Sequence, residues 1–213
     1  MIAFLLSLTA VIAYFMGSLN TSIIASHFIF HCDLLAFSRD NEGITRFYNR
    51  FGTKGTVILL AMEAAKTALP VLIGGWLMST CDQTVLGKAF ALFCVMMGTR
   101  FPIMLKFRGE TSFIAYAVGL LFLNLWLGII TILVMAAVYF FSRYISLAAI
   151  AGALFSYFFT FITLDGEWVH RLILLCVVIV LIEYRKNIVL LIKGKEEKFI
   201  FKKDISYMFD DDY

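Results

Sequence analysis

Gly98-Thr99-Arg100-Phe101-Pro102-Ile103-Met104-Leu105-Lys106-Phe107-Arg108-Gly109 closes an apolar run that begins at Val85. The run ends in a proline and three cations, as a membrane helix does when it delivers a basic loop to one membrane face. Cations beside flexible, glycine-terminated backbone suit a ligand that carries phosphate. The competing reading is that Lys106 and Arg108 only fix topology, since cationic flanks are ordinary in membrane proteins.

The rest of the chain agrees with the membrane reading. Of its 213 residues, 62% are apolar and 15% are charged, against about 25% charged in soluble domains. Mean hydropathy is +0.90 and 22 residues are Phe. The apolar runs are continuous, whereas barrel strands alternate over about ten positions. The expected fold class is therefore all-α, a polytopic helical membrane protein. Residues 1–199 should form one transmembrane domain, and 200–213 an acidic, partly disordered cytoplasmic tail.

Apolar segments lie near 2–30, 55–79, 85–105, 113–123, 125–142, 146–164 and 168–184. A full span needs about 20 residues, so 113–123 is too short to cross unless tilted or partly inserted. The N-terminal run lacks a basic leader region and continues past signal-peptide length, which reads as a retained first helix. Basic clusters fall on alternate connections: Arg39, Arg46, Arg50 and Lys54; Lys106 and Arg108; Arg143; and seven cations from Arg185 to Lys203. The intervening connections carry Asp82, Asp165 and Glu167. This pattern places the basic loops and the C-terminus in the cytoplasm and the N-terminus outside. Lys88 and Arg171, near outer helix ends, are exceptions that snorkelling can accommodate.

Several chemistries find no support. Cys32, Cys81, Cys94 and Cys176 lack metal spacing, and His27, His31 and His170 do too. No metal or cofactor is expected. A net charge of +3 is too small to imply nucleic acid. No Ser-His-Asp, HEXXH or H-x4-D arrangement occurs. Four features remain. Gly17-Ser18-Leu19-Asn20-Thr21-Ser22 is a polar break in the first segment, suited to a kink or close packing. Glu63 and Lys66 share one helical face, as a self-satisfied pair or with Lys66 aimed into a polar cavity. Pro70 and Pro102 read as marks of helix ends or kinks. Arg143-Tyr144-Ile145-Ser146 is a connection with Arg143 as anchor and Ser146 as helix N-cap.

Taken in order, these segments resemble the bacterial acyl-phosphate-dependent glycerol-3-phosphate acyltransferases, seven-helix integral-membrane enzymes. The resemblance runs from about Ala13 to Phe199. The family's Gly-Ser-Ile-Pro is similar to Gly17-Ser18-Leu19-Asn20, and its Asp-x-x-Lys-Gly to Glu63-Ala64-Ala65-Lys66-Thr67. Its Gly-His-x-Phe-Pro-Val-Phe-Leu-x-Phe-Lys-Gly-Gly-Lys-Gly resembles Gly98 through Ser112. Its Arg-Tyr-Val-Ser-Leu-Ala-Ser resembles Arg143 through Ala149. Its C-terminal Asn-Ile-x-Arg-Leu-x-x-Gly-x-Glu agrees at Asn187, Ile188, Leu191, Gly194 and Glu196.

The resemblance implies acyl transfer from acyl phosphate to glycerol 3-phosphate in phospholipid synthesis, at a bacterial cell membrane. Membrane lipid and these two phosphates would be the partners. Ser18, Lys66, Arg143 and Ser146 would carry the catalytic roles. Asn41, Thr45, Arg46, Lys106, Arg108, Gly109 and Asn187 would bind substrate, with the basic residues converging on Lys66.

The departures are concentrated at phosphate. The family's Gly-Ser-Gly-Asn-Ile-Gly-Ala-Thr-Asn is Ser38-Arg39-Asp40-Asn41-Glu42-Gly43-Ile44-Thr45-Arg46 here, so two glycines are lost. The family's His is Thr99, its Gly-Gly-Lys-Gly is Gly109-Glu110-Thr111-Ser112, and its C-terminal Arg is Leu190. Three rival readings follow: a degenerate paralogue that binds lipid or regulates a true enzyme, an acyltransferase with another acceptor, and a transporter. The transporter is the weakest, since no internal repeat is visible. The charge pattern itself predicts that single cysteines placed within 39–54 react with impermeant thiol reagents only from the cytoplasmic side. Labelling from outside intact cells would invert the topology.

Overall fold

An apolar segment in lipid has no water for its backbone, so it folds as a helix that satisfies its own N–H and C=O groups. The computed structural model describes residues 1–28, 43–103, 109 and 111–193; among 28 and 43–50, only Tyr48 has its side chain described. Nine helices lie among the described residues: α1 (Ile2–Gly17), α2 (Thr21–Phe28), α3 (Gly43–Ser79), α4 (Thr84–Arg100), α5 (Phe113–Leu123), α6 (Leu125–Ser142), α7 (Ile145–Thr163), α8 (Glu167–Glu183) and α9 (Arg185–Ile192). The expected tail at 200–213 lies outside the described residues.

All seven expected apolar segments are helical, but they are not seven equal spans. Phe51–Ser79, Leu125–Ser142 and Ile145–Thr163 are long and apolar enough to cross a membrane. Ile2–Gly17 and Thr21–His27 together make a fourth, bent by 46° at the Ser18–Asn20 break. The helices α4 and α8, 17 residues each, reach about 25 Å, most of a hydrocarbon core about 30 Å thick. The 11 residues of α5 cover only about 16 Å. Asn124 turns this short helix directly into α6, accepting from the N–H of Leu127 and donating to the carbonyl of Thr163 at 3.4 Å. The 18 residues of α6 run about 27 Å back from that turn.

Two local expectations need correction. Ser146 is not the cap of α7: Tyr144 stands at that position in extended conformation, and Ser146 is buried one residue inside the helix. The reversal is made instead by Arg143, which caps α6 in the left-handed region (φ 61°) and lets the chain turn within two residues. Pro70 marks no helix end, since α3 runs through it and its one residue of non-helical φ/ψ is Gly52. Pro70 does remove the N–H that would bond the carbonyl of Lys66.

The central helix α4 packs against α1, α3, α5 and α8 and carries much of the buried core. The outer pair α6 and α7 joins through α5 and α8. Between α5 and α7, Tyr116 and Ser156 share a buried hydrogen bond of 2.5 Å, a polar link of the kind that holds helices together where lipid supplies no hydrophobic drive. The contact between α1 and α4 is backbone on backbone. A Cβ on Gly17 would stand 2.3 Å from the Val95 carbonyl oxygen, and one on Gly98 would stand 2.3 Å from that of Tyr14. Neither carbonyl can yield as a side chain would. Gly98→Ala should therefore cost about 1–3 kcal/mol as overpacking, read as a lower unfolding temperature in detergent; an unchanged midpoint would show that the two helices separate freely.

Candidate active site

Glu63 and Lys66 lie one turn apart in α3 and are both about 6% exposed. An unpaired charge at this depth would be expensive, and the pair resolves it locally. Glu63 Oε1 accepts from Lys66 Nζ at 3.0 Å and also from the Thr21 hydroxyl. The second bond of Lys66 reaches out of its helix, to the Leu19 carbonyl at 3.1 Å. That carbonyl is available because α1 has ended. Its regular helical donor, the N–H of Ile23, bonds Asn20 Oδ1 at 2.9 Å, which caps the first turn of α2. The polar break read in the sequence is therefore both a kink and a close contact, and Lys66 is both paired and site-facing.

Gly17, Ser18, Leu19, Asn20, Lys66, Thr99 and Pro102 line a tight, part-apolar cleft at this break, without room for a water molecule. The Ser18 hydroxyl donates to Tyr14 O at 2.8 Å. Thr99 Oγ1 lies 3.2 Å from Gly17 O and 3.0 Å from Val95 O, and so ties α4 to the end of α1. Lys66 has three donors, and two are used among the described residues.

A second polar group lies where the chain enters α5. Glu183, at the end of α8, accepts from the Ser112 backbone N–H at 3.0 Å through Oε2 and from the Ser112 hydroxyl at 2.7 Å through Oε1. Arg100, at the end of α4, lies within electrostatic reach of this carboxylate. Gly109 is buried against α4, where a Cβ would stand 2.0 Å from the Thr99 carbonyl oxygen and 2.4 Å from that of Arg100. Neither Arg100 nor Glu183 stands out by motif. Their visible signals were a cation at a helix end and an acid closing an apolar run.

The structure joins the expected site residues only in part. Ser18 and Lys66 share the cleft. Gly109 sits one helix turn away, against Thr99 and Arg100. Arg143 is exposed at the turn between α6 and α7, beside Tyr139, which also neighbours Tyr48 on the leading part of α3. That part of α3 carries Thr45 and Arg46, whose side chains are not described. Ser146 is buried in α7 and Asn187 is on α9, which packs against α7 and α8. The bonds described for Lys66 come from Glu63 and Leu19, not from the α6–α7 turn. Asn41, Lys106 and Arg108 lie outside the described residues, so their convergence on Lys66 stays an expectation.

Removing one member of a buried ion pair strands the other, at about 3–5 kcal/mol, whereas replacing both with apolar groups is often near neutral. Lys66→Met should therefore destabilise by about that amount, and adding Glu63→Leu should recover most of the loss. A double-mutant cycle in detergent reads this coupling; additive effects would mean that the two side chains do not depend on each other.

The geometry has counterparts among known proteins. The profile of the glycerol-3-phosphate acyltransferase family matches residues 7–194. The glycerol-3-phosphate acyltransferase of Ralstonia pickettii (strain 12J) is 30% identical over 194 residues, covering 91% of this chain and 94% of that one. The enzyme of the same name from Thermoanaerobacter sp. (strain X514) is 29% identical over 199 residues, covering 93% and 98%. In fold, the chain is similar to the crystal structure of PlsY (YgiH), an integral membrane glycerol 3-phosphate acyltransferase, in its glycerol 3-phosphate form. The TM-score is 0.79 at 19% identity, covering 92% of this chain and 96% of that one. The lysophosphatidic acid form gives the same TM-score at 18% identity. This multi-pass membrane protein belongs to the glycerol-3-phosphate acyltransferase family.

Proposed function

We propose that the protein transfers a fatty acyl group from acyl phosphate to glycerol 3-phosphate at the cytoplasmic face of a bacterial membrane, making lysophosphatidate for phospholipid synthesis. The observation that carries this reading is the cleft at the Ser18–Asn20 break. It sets the buried ammonium of Lys66 beside Ser18 and Asn20, in a chain whose family profile spans 7–194. In the reaction, the acceptor hydroxyl oxygen bonds to the acyl carbon. The bond from that carbon to the phosphate oxygen breaks, and phosphate leaves with the electron pair. The hydroxyl proton passes to a phosphate oxygen, so no side chain need act as base.

The chain's part is then placement and charge. Lys66 directs an N–H at a phosphate or at the acyl oxygen, and Ser18, whose proton bonds Tyr14 O, accepts beside it. Glu63 cancels the charge of Lys66, so two phosphates require further cations. Arg46, Lys106, Arg108 and Arg143 are those the resemblance assigns, with Asn41, Thr45, Gly109 and Asn187 lining the substrates and Ser146 ordering α7 beside them.

A second reading has its own support. Thr99 and Ser112, which replace the family's His and last loop Gly, spend their hydroxyls on the scaffold. A site rebuilt in this way suits an acceptor other than glycerol 3-phosphate. Turnover by the purified protein decides, with acyl phosphate as donor and glycerol 3-phosphate among a panel of alcohols. Arg143→Ala should lower turnover at least about tenfold, the effect of losing a hydrogen bond to a charged group. Ser38→Gly with Asp40→Gly and Thr111→Lys should raise activity toward glycerol 3-phosphate. Release of phosphate with no acylated acceptor, or no turnover at all, would overturn the acyltransfer reading.

A further inference from the structure

An indole settles at the headgroup level of a membrane, where its ring lies in lipid and its N–H is wet. The chain has three tryptophans, Trp76, Trp126 and Trp168, and each is between 65% and 73% exposed. Trp76 stands in the last turn of α3, and Trp126 and Trp168 stand in the first turns of α6 and α8. These helix ends lie at one end of the bundle. A tight connection joins α3 to α4, closed from the Gln83 N–H to Met78 O at 3.1 Å. Asn124, before α6, reaches the end of α7, and His170 of α8 stacks on Phe161 near that same end at 4.3 Å. Helices α4 and α8 pack together and finish together, with Arg100 near Glu183, so they also start together. The cleft is at the opposite end, since Thr99 lies about 16 Å further along α4 than Lys88.

Lys88 brings a cation to this tryptophan end. It sits one turn inside α4, and a helical side chain leans toward the helix N-terminus, here toward the indoles. Its stem lies along bare backbone of α3: a Cβ on Gly75, the residue before Trp76, would stand 2.7 Å from Lys88 Cγ and 3.0 Å from Cε. Lys88 makes no ion pair among the described residues. Arg171, the other cation at this end, is already spent on Glu167 at 2.5 Å and on the Trp168 ring at 4.8 Å. Asp82 and Asp165 stand in the connections, further out than Lys88. An ammonium at the inner edge of a headgroup layer meets lipid phosphate, and a net negative headgroup suits it best. We propose that Lys88, on the groove left by Gly75 and beside Trp76, binds the phosphate of an anionic phospholipid in the leaflet opposite the cleft. The site rests on the membrane reading and is independent of acyl transfer.

The test uses the full chain in phosphatidylcholine vesicles, with Trp126→Phe and Trp168→Phe leaving Trp76 as the sole tryptophan. Lipids with a nitroxide near the carbonyls should quench Trp76 more than lipids with one near the chain end; the reverse order overturns the proposal. Brominated phosphatidylglycerol is then compared with brominated phosphatidylcholine as quencher. Lys88→Gln should lower the preference of the Trp76 site for the anionic lipid by roughly two- to fivefold, the range of an exposed ion pair. Lys88→Arg should keep that preference. Equal preference in the parent and in Lys88→Gln overturns the proposal and leaves a solvated lysine only. An equal drop in Arg171→Gln also overturns it, because the effect would then be diffuse surface charge.

Discussion

A lysine ammonium buried among membrane helices has to be fully partnered, and much of this structure meets that demand for Lys66. One partner, Glu63, comes from the same helix. The other is a backbone carbonyl that a continuous α1 would have spent on itself. The break at Ser18–Asn20 frees it, and Asn20 makes the break tolerable by capping α2. The break in turn brings polar backbone to the end of α1, where α4 must pass close enough for Thr99 to reach Gly17. That approach needs glycine at both 17 and 98. Helix α3, the bent pair and α4 therefore form one interdependent unit.

The same geometry explains how the chain departs from its family. A hydroxyl stands where the family has an imidazole, and it serves two carbonyls of the α1–α4 contact. At the end of the phosphate loop a second hydroxyl replaces glycine, and Glu183 secures it. Both replacements trade freedom or proton chemistry for fixed structure. The same loop has Thr111 where the family has a lysine.

Much of the fold was legible because its signal is local. Long apolar runs mark helices regardless of context, and each expected segment is helical. The polar break and the Glu63–Lys66 pair could be read for the same reason, from spacing within one helix turn or one short motif. What escaped depends on contacts far apart in sequence. Ser112 and Glu183 are 71 residues apart, and Thr99 and Gly17 are 82 apart. Nothing in either neighbourhood announces the other. The true cap of α7 was missed because Arg143 takes a left-handed conformation that non-glycine residues adopt only rarely, so the serine was the natural guess. The shortness of α5 was legible from its 11 residues, but not the Ser112–Glu183 contact that fixes its start.

The polar entry to α5 and the broken first helix have a common consequence for the proposed reaction. One substrate carries an acyl chain that belongs in lipid, and the other is a water-soluble anion. They can react only where polar groups are held at the depth of the acyl carbonyl. Irregular backbone is tolerated there only when protein buries it or a cavity solvates it. Here protein does the burying: Lys66 of α3 and Thr99 of α4 meet the Ser18–Asn20 break, while Gly109 packs on α4 and Ser112 is held by Glu183 of α8. Both contacts lie at the C-terminal end of one helix, α4. The Thr99–Arg100 step at the end of that helix touches both, with the Thr99 hydroxyl holding the break and the Thr99 and Arg100 carbonyls packed on Gly109.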